Sequence, residues 1–123
     1  MTKTDVLLIE DDDDVALFLA NVLDMSGYTI RRFATAEDAL AAFESGVYLV
    51  GIIDIMLPGM HGVECAWKIR AADPGIYLIA LSAVLEDWDD DDLTDNGFNA
   101  MFKKPFHCRD LLDHIDQATG HQH

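Results

Sequence analysis

Three short runs, Val6–Ile9 (VLLI), 49–53 (LVGII) and 76–81 (IYLIAL), are apolar along nearly their whole length and carry β-branched residues. A strand with one face in water alternates polar and apolar positions. A continuous apolar run instead suits a strand covered on both faces, the environment of a parallel sheet between two layers of helix. The intervening segments have the spacing that such helices need. Val15, Phe18, Leu19, Val22 and Leu23 recur at helical intervals ahead of Gly27, and residues 36–45 lie between Thr35 and Gly46. Thr35 with Asp38 three residues on is an acidic variant of the capping box. Beyond Pro58-Gly59, the positions Val63, Ala66, Trp67 and Ile69 predict a third helix. It ends before Pro74, because the residue ahead of a proline avoids helical angles. A last strand at 100–103 and a last helix at 109–119, with Leu111, Leu112 and Ile115 on one face, complete five strand–helix units. The expected fold class is α/β, a five-stranded parallel sheet doubly wound as (βα)5.

A chain of 123 residues, half of them hydrophobic, is enough for one core and too short for two, so residues 1–123 are read as a single domain. No linker, internal repeat or low-complexity block interrupts it, and residues 120–123 (GHQH) read as a frayed tail. Cys65 and Cys108 are too few and too far apart for a disulfide framework, and read as reduced packing residues. MTKTD leads directly into the first strand with no signal-peptide pattern, and no run approaches the roughly 20 apolar residues that span a bilayer. A cytoplasmic protein is therefore expected. With 23 acidic against 8 basic residues, the formal charge of −15 disfavours nucleic acid and anionic membranes and favours partners with basic surfaces.

In a doubly wound sheet, ligands bind beyond the carboxyl ends of the strands. Glu10 and Asp11 follow the first apolar run, Asp54 the second and Ser82 the third, while Lys104 stands in KKP at the end of the last strand. Three carboxylates brought together repel one another, which calls for a cation between them. Oxygen ligands of this kind suit Mg²⁺, which keeps several waters and shares phosphate oxygens with its protein ligands. A carboxylate beside Mg²⁺ and a lysine is a competent phosphoryl acceptor.

This constellation resembles the receiver domains of two-component response regulators, over essentially the whole chain. The resemblance rests on LLIEDD with Glu10-Asp11, IIDIMLPGMHG with Asp54, LIALSA with Ser82, and KKPF with Lys104. The separations of Asp11 from Asp54 and of Ser82 from Lys104 look like the family's, and the Asp54 to Ser82 interval is slightly short. The resemblance implies a flavodoxin-like sheet of strand order 2-1-3-4-5. It implies that a histidine kinase or histidine phosphotransfer protein presents phosphohistidine and that Asp54 takes the phosphoryl group. Asp11, Asp54 and the carbonyl of Met56 would hold Mg²⁺ directly, and Glu10 through water. Lys104 would pair with the phosphoryl oxygens, and the Ser82 hydroxyl would move toward them, repacking a face that a downstream protein reads. Such a domain catalyses only its own phosphorylation and dephosphorylation.

Plainer readings stand beside these. Asp12, Asp13 and Asp14 suit a helix start, at the positive end of the dipole. Lys103 is expected on the opposite, solvated face from Lys104. The family usually carries an aromatic residue three before the lysine; here it is Met101, which fills space without a rigid lever, and strand alternation turns Phe102 the other way. Ser82 where threonine is commoner loses the β-branch that restricts its rotamer. The run EDWDDDD, from Glu86 to Asp92 in the expected fourth helix region, is poor helix interior and reads as a solvated acidic face or a dock for a basic partner, with Trp88 either anchoring that contact or packing on the domain. Its like charges favour a monomer, with phosphorylation-dependent dimerisation as the family's alternative. His61, His107, His114, His121 and His123 show no ligand spacing and read as surface or terminal residues. The main alternative function is a phosphorylation-independent interaction module. A haloacid-dehalogenase-like phosphatase would want an acid where Met56 stands, and a flavodoxin a phosphate-cradling loop where five acids follow the first strand. Met1 and the lack of a trailing linker point to a stand-alone regulator, with a receiver cut from a longer regulator that carries a DNA-binding or enzymatic output domain as the alternative.

Overall fold

The computed structural model describes residues 4–83 and 96–120. The strands are β1 (Val6–Ile9), β2 (Ile30–Phe33), β3 (Val50–Asp54), β4 (Tyr77–Ala83) and β5 (Ala100–Lys104), and the helices are α1 (Asp13–Met25), α2 (Ala36–Ala42), α3 (Gly62–Ala72) and α4 (Cys108–Thr119). The strands form one parallel sheet in the order β2-β1-β3-β4-β5, as expected. The acidic run at 86–92 with Trp88, and residues 121–123 of the expected tail, lie outside the described residues.

Strand alternation divides the core in two. Leu7, Ile9, Ile53, Leu78 and Ala80 face Ala36, Ala39, Ala66 and Ile69 of α2 and α3. Val6, Leu8, Val50, Ile52, Ile79 and Leu81 face Ala16, Leu19, Leu23, Leu111 and Ile115 of α1 and α4. Sheltered on both sides, β1 and β3 are buried at every position, as their unbroken apolar sequences require. β2 (IRRF) had no such signature because it is an edge strand, half exposed, with two arginines. Among the described residues, no helix is long and apolar enough to cross a membrane.

Asp12 caps α1, its Oδ1 accepting from the amides of Asp14 (2.9 Å) and Val15 (3.1 Å), with Asp13 and Asp14 in the first turn. Thr35 caps α2 through the Asp38 amide at 3.1 Å. That helix stops at Ala42 and not at 45, because Phe43 turns extended (φ −68°, ψ 134°) to stack on Tyr48. The apolar face of α1 is rotated from the expected one: Ala16 is buried, whereas Phe18 is 56% exposed. Trp67, expected on the inner face of α3, is 53% exposed and donates to Asn96 Oδ1 at 2.8 Å.

Two histidines expected at the surface do structural work instead. His61 Nδ1 accepts from the Val63 amide at the start of α3. His114 is half buried, with Nε2 2.6 Å from the Tyr77 hydroxyl and its ring edge-on to Phe102. Arg70 fastens α3 to the approach of β5, donating to the carbonyls of Gly97, Pro74 and Ile76 and to Asn99 Oδ1. That clamp helps to set where β5, and with it Lys104, enters the sheet.

Candidate functional site

The register sets the site. Ile9 pairs with Ile53, Asp54 with Leu81, and Ala83 with Lys104, so the carboxyl ends of β1, β3, β4 and β5 converge on one edge. Asp54 closes β3 and is 6% exposed. Its Oδ1 accepts from the Met56 amide at 3.0 Å, and its Oδ2 accepts from Lys104 Nζ at 3.1 Å. The same ammonium donates to Glu10 Oε1 at 2.7 Å. Lys104 thus bridges Glu10 and Asp54 in a partly buried setting, where a charge-assisted bond to a carboxylate is strong.

Glu10 has no exposed surface, and its Oε2 is buried without a hydrogen-bond partner. Burial, followed by the neighbouring Asp54 carboxylate, pushes its pKa up to about 8. For Lys104 burial pulls the other way, but the Glu10 hydrogen bond and the Asp54 charge outweigh it and raise the pKa above its ordinary value. One oxygen each from Glu10, Asp11 and Asp54 lies within 4.8 Å of the others, with Asp11 exposed at the mouth. An all-oxygen donor set containing a buried, unsatisfied acceptor fits a small hard cation.

Glu10, Asp11, Asp54 and Lys104 are therefore brought together as the sequence suggested. Ser82 is fully buried one residue beyond Leu81, the strand partner of Asp54. Met56 is 58% exposed on the loop after β3, its amide held by Asp54. Met101 packs against the α2–α3 layer, while Phe102 lies in the α1–α4 layer, as alternation required. Lys103 is exposed. Gly62 begins α3 against the backbone of Asp54, where a Cβ would lie 2.3 Å from the Asp54 carbonyl oxygen and 2.7 Å from Ile55 Cα.

Two features escaped sequence reading. An apolar crevice of about 530 Å³ opens beside Lys104, lined by Val15, Phe18, Leu19, Pro105 and Phe106. The exposed Phe18 was its sequence signal, read wrongly as core. Arg32 of β2 holds the carbonyl of Glu10, a contact with backbone that leaves no motif.

A family model for the response regulator receiver domain matches residues 6–116. The response regulator receiver protein CpdR of Brucella abortus (strain 2308) is 30% identical over 115 residues, which cover 91% of this chain and 93% of that protein. The uncharacterized transcriptional regulatory protein YkoG of Bacillus subtilis (strain 168) is 32% identical over 120 residues, and there the match covers 96% of this chain and 52% of YkoG. Among solved structures, a CheY-like response regulator receiver domain protein from Methanospirillum hungatei JF-1 aligns with a TM-score of 0.88 at 27% identity, covering 97% of this chain and 95% of that one.

Proposed function

This chain belongs to the response regulator receiver domain family, and from that membership we propose that Asp54 accepts a phosphoryl group from a phosphohistidine donor. The observation that carries the reading is the grip on Asp54: one oxygen held by the Met56 amide, the other by Lys104, beside the unsatisfied Oε2 of Glu10. A carboxylate fixed from two sides has few rotations left to lose on reaching phosphorus, and positioning is most of what phosphoryl transfer asks of a protein. One Asp54 oxygen attacks phosphorus as the P–N bond to the donor imidazole breaks, and that bond's electron pair stays with the ring nitrogen. Lys104, already within reach of Asp54, turns an N–H toward the incoming phosphoryl oxygens.

Glu10, Asp11, Asp54 and the Met56 carbonyl are the groups that would hold Mg²⁺, which when bound offsets charge on the transferring group. The Ser82 hydroxyl then donates to a phosphoryl oxygen, and Met101 takes the place of the family's aromatic lever. A histidine kinase or histidine phosphotransfer protein is the donor, and the apolar crevice around Phe18 and Phe106 gives it a surface to grip next to Lys104. A downstream protein reads the switched face.

Intact mass tests this. Wild type incubated with Mg²⁺ and acetyl phosphate gains a phosphoryl adduct, and Asp54→Asn or added chelator abolishes it. A second reading, a module that binds its partner irrespective of phosphorylation, is favoured by Met101 packed where a rigid ring would couple the site to the output face. Under it, Asp54→Asn leaves partner binding intact.

A further inference from the structure

Arg32 belongs to none of the motifs that mark the site, yet it touches the acidic pair directly. Its guanidinium meets the Glu10 carbonyl oxygen twice, through Nε at 3.0 Å and Nη2 at 2.7 Å, and Nη2 also meets Asp13 Oδ1 at 2.9 Å. The sheet register delivers it: Arg32 pairs with Leu8, and the Glu10 amide donates to the Phe33 carbonyl at 3.1 Å. The side chain therefore runs along the end of β1 to the first peptide beyond it.

Because a peptide unit is planar, pinning the Glu10 carbonyl fixes the whole unit between Glu10 and Asp11. The ψ of Glu10 and the φ of Asp11 flank that unit, and they are the backbone rotations that aim the two carboxylates relative to one another. The fork of two donors on one oxygen is charge-assisted and directional. By contrast, Asp13 is 88% exposed, and a bridge to it contributes little. We propose that Arg32 is a positioning residue that preorganises Glu10 and Asp11 for a divalent cation. This rests on the reading that the acidic cluster binds Mg²⁺.

The proposal predicts the opposite sign from simple electrostatics. A guanidinium beside the cluster repels an arriving Mg²⁺ through space, so charge alone makes its removal tighten binding. If Arg32 acts by holding the peptide, its removal loosens binding, and loss of a comparable outer-sphere contact typically weakens metal affinity about 10- to 100-fold.

The test is calorimetric titration of the full chain with Mg²⁺, comparing wild type, Arg32→Gln, Arg32→Lys and Asp13→Ala, with thermal unfolding in chelator to check that each is folded. The expected result is at least about 10-fold weaker binding in Arg32→Gln, and weaker binding also in Arg32→Lys, which keeps the charge but loses the fork. Asp13→Ala, which leaves the carbonyl contact in place, stays within about 2-fold. Unchanged or tighter binding in Arg32→Gln overturns the proposal, as does wild-type affinity in Arg32→Lys, which also decides the matter should the glutamine variant fail to fold. Wild type that binds no Mg²⁺ overturns the reading of the site and this inference with it, whereas a binding wild type with unaffected Arg32 variants overturns this inference alone.

Discussion

Gly62→Ala is the substitution by which the packing beneath Asp54 is tested most sharply. The added Cβ would sit 2.3 Å from the Asp54 carbonyl oxygen and 2.7 Å from Ile55 Cα, both inside the 3.0 Å that real Cβ contacts essentially never cross. Both obstacles are backbone, so no side chain can swing aside; either the start of α3 or the segment leaving β3 must move. Overpacking of this kind costs about 1–3 kcal/mol. Alanine returns part of that through its higher helix propensity, by up to about 1 kcal/mol, and less than that at a first helical position such as this one. The net loss of about 1–2 kcal/mol corresponds to a fall in Tm of roughly 5–10 °C for a domain of this size. The displacement falls on the residue proposed to accept the phosphoryl group, and a misplacement near 1 Å costs on the order of 100-fold in rate. Thermal unfolding followed by circular dichroism, with the rate of adduct formation from acetyl phosphate, measures both. Gly75→Ala is the control: its Cβ meets nothing closer than 3.8 Å, and its effect should stay within about 0.5 kcal/mol. A Gly62→Ala protein with wild-type Tm and wild-type labelling would refute the reasoning.

Lys104→Met removes the ammonium shared by Glu10 and Asp54, so adduct formation should fall by about 100-fold or more while Mg²⁺ affinity, measured by titration, holds or rises as a competing cation is lost. In chelator, stability should decline as pH rises from 4.5 toward 8. The folded state holds the Glu10 proton more tightly than the unfolded state does, so the stability this contributes is fully present below the ordinary carboxylate range and is lost as pH rises toward about 8, and urea unfolding of Glu10→Gln should show a flatter profile. Phe18→Ala, at a half-exposed position, should change stability by less than about 1 kcal/mol and leave acetyl phosphate labelling unaltered, while slowing transfer from a phosphohistidine protein; equal rates from that donor would remove the crevice from the account.

The central strands were readable because burial on both faces leaves an uninterrupted apolar run, and three such runs aimed Glu10-Asp11, Asp54 and Ser82 at one edge of the sheet. β2 was not readable in that way: at the edge, IRRF needs only partial cover, and its arginines serve the site and the surface more than the core. Helical periodicity found α1 and α3 but placed Phe18 and Trp67 inward, because a stripe of spaced apolar residues does not say how far round the buried arc extends. The overlong α2 has a similar origin, since its end is set by the stacking of Phe43 on Tyr48, a tertiary contact. Charged residues at strand ends announced Glu10, Asp54 and Lys104. Arg32 made no such announcement, because its partner is a carbonyl that every residue has.

Phosphoryl transfer to Asp54 is tested by reducing the labelled protein with borohydride, which converts an aspartyl phosphate to homoserine, followed by peptide mapping. Homoserine is expected at position 54 and nowhere else. Conversion at Asp11 or another acid, or a label that resists borohydride, would contradict it.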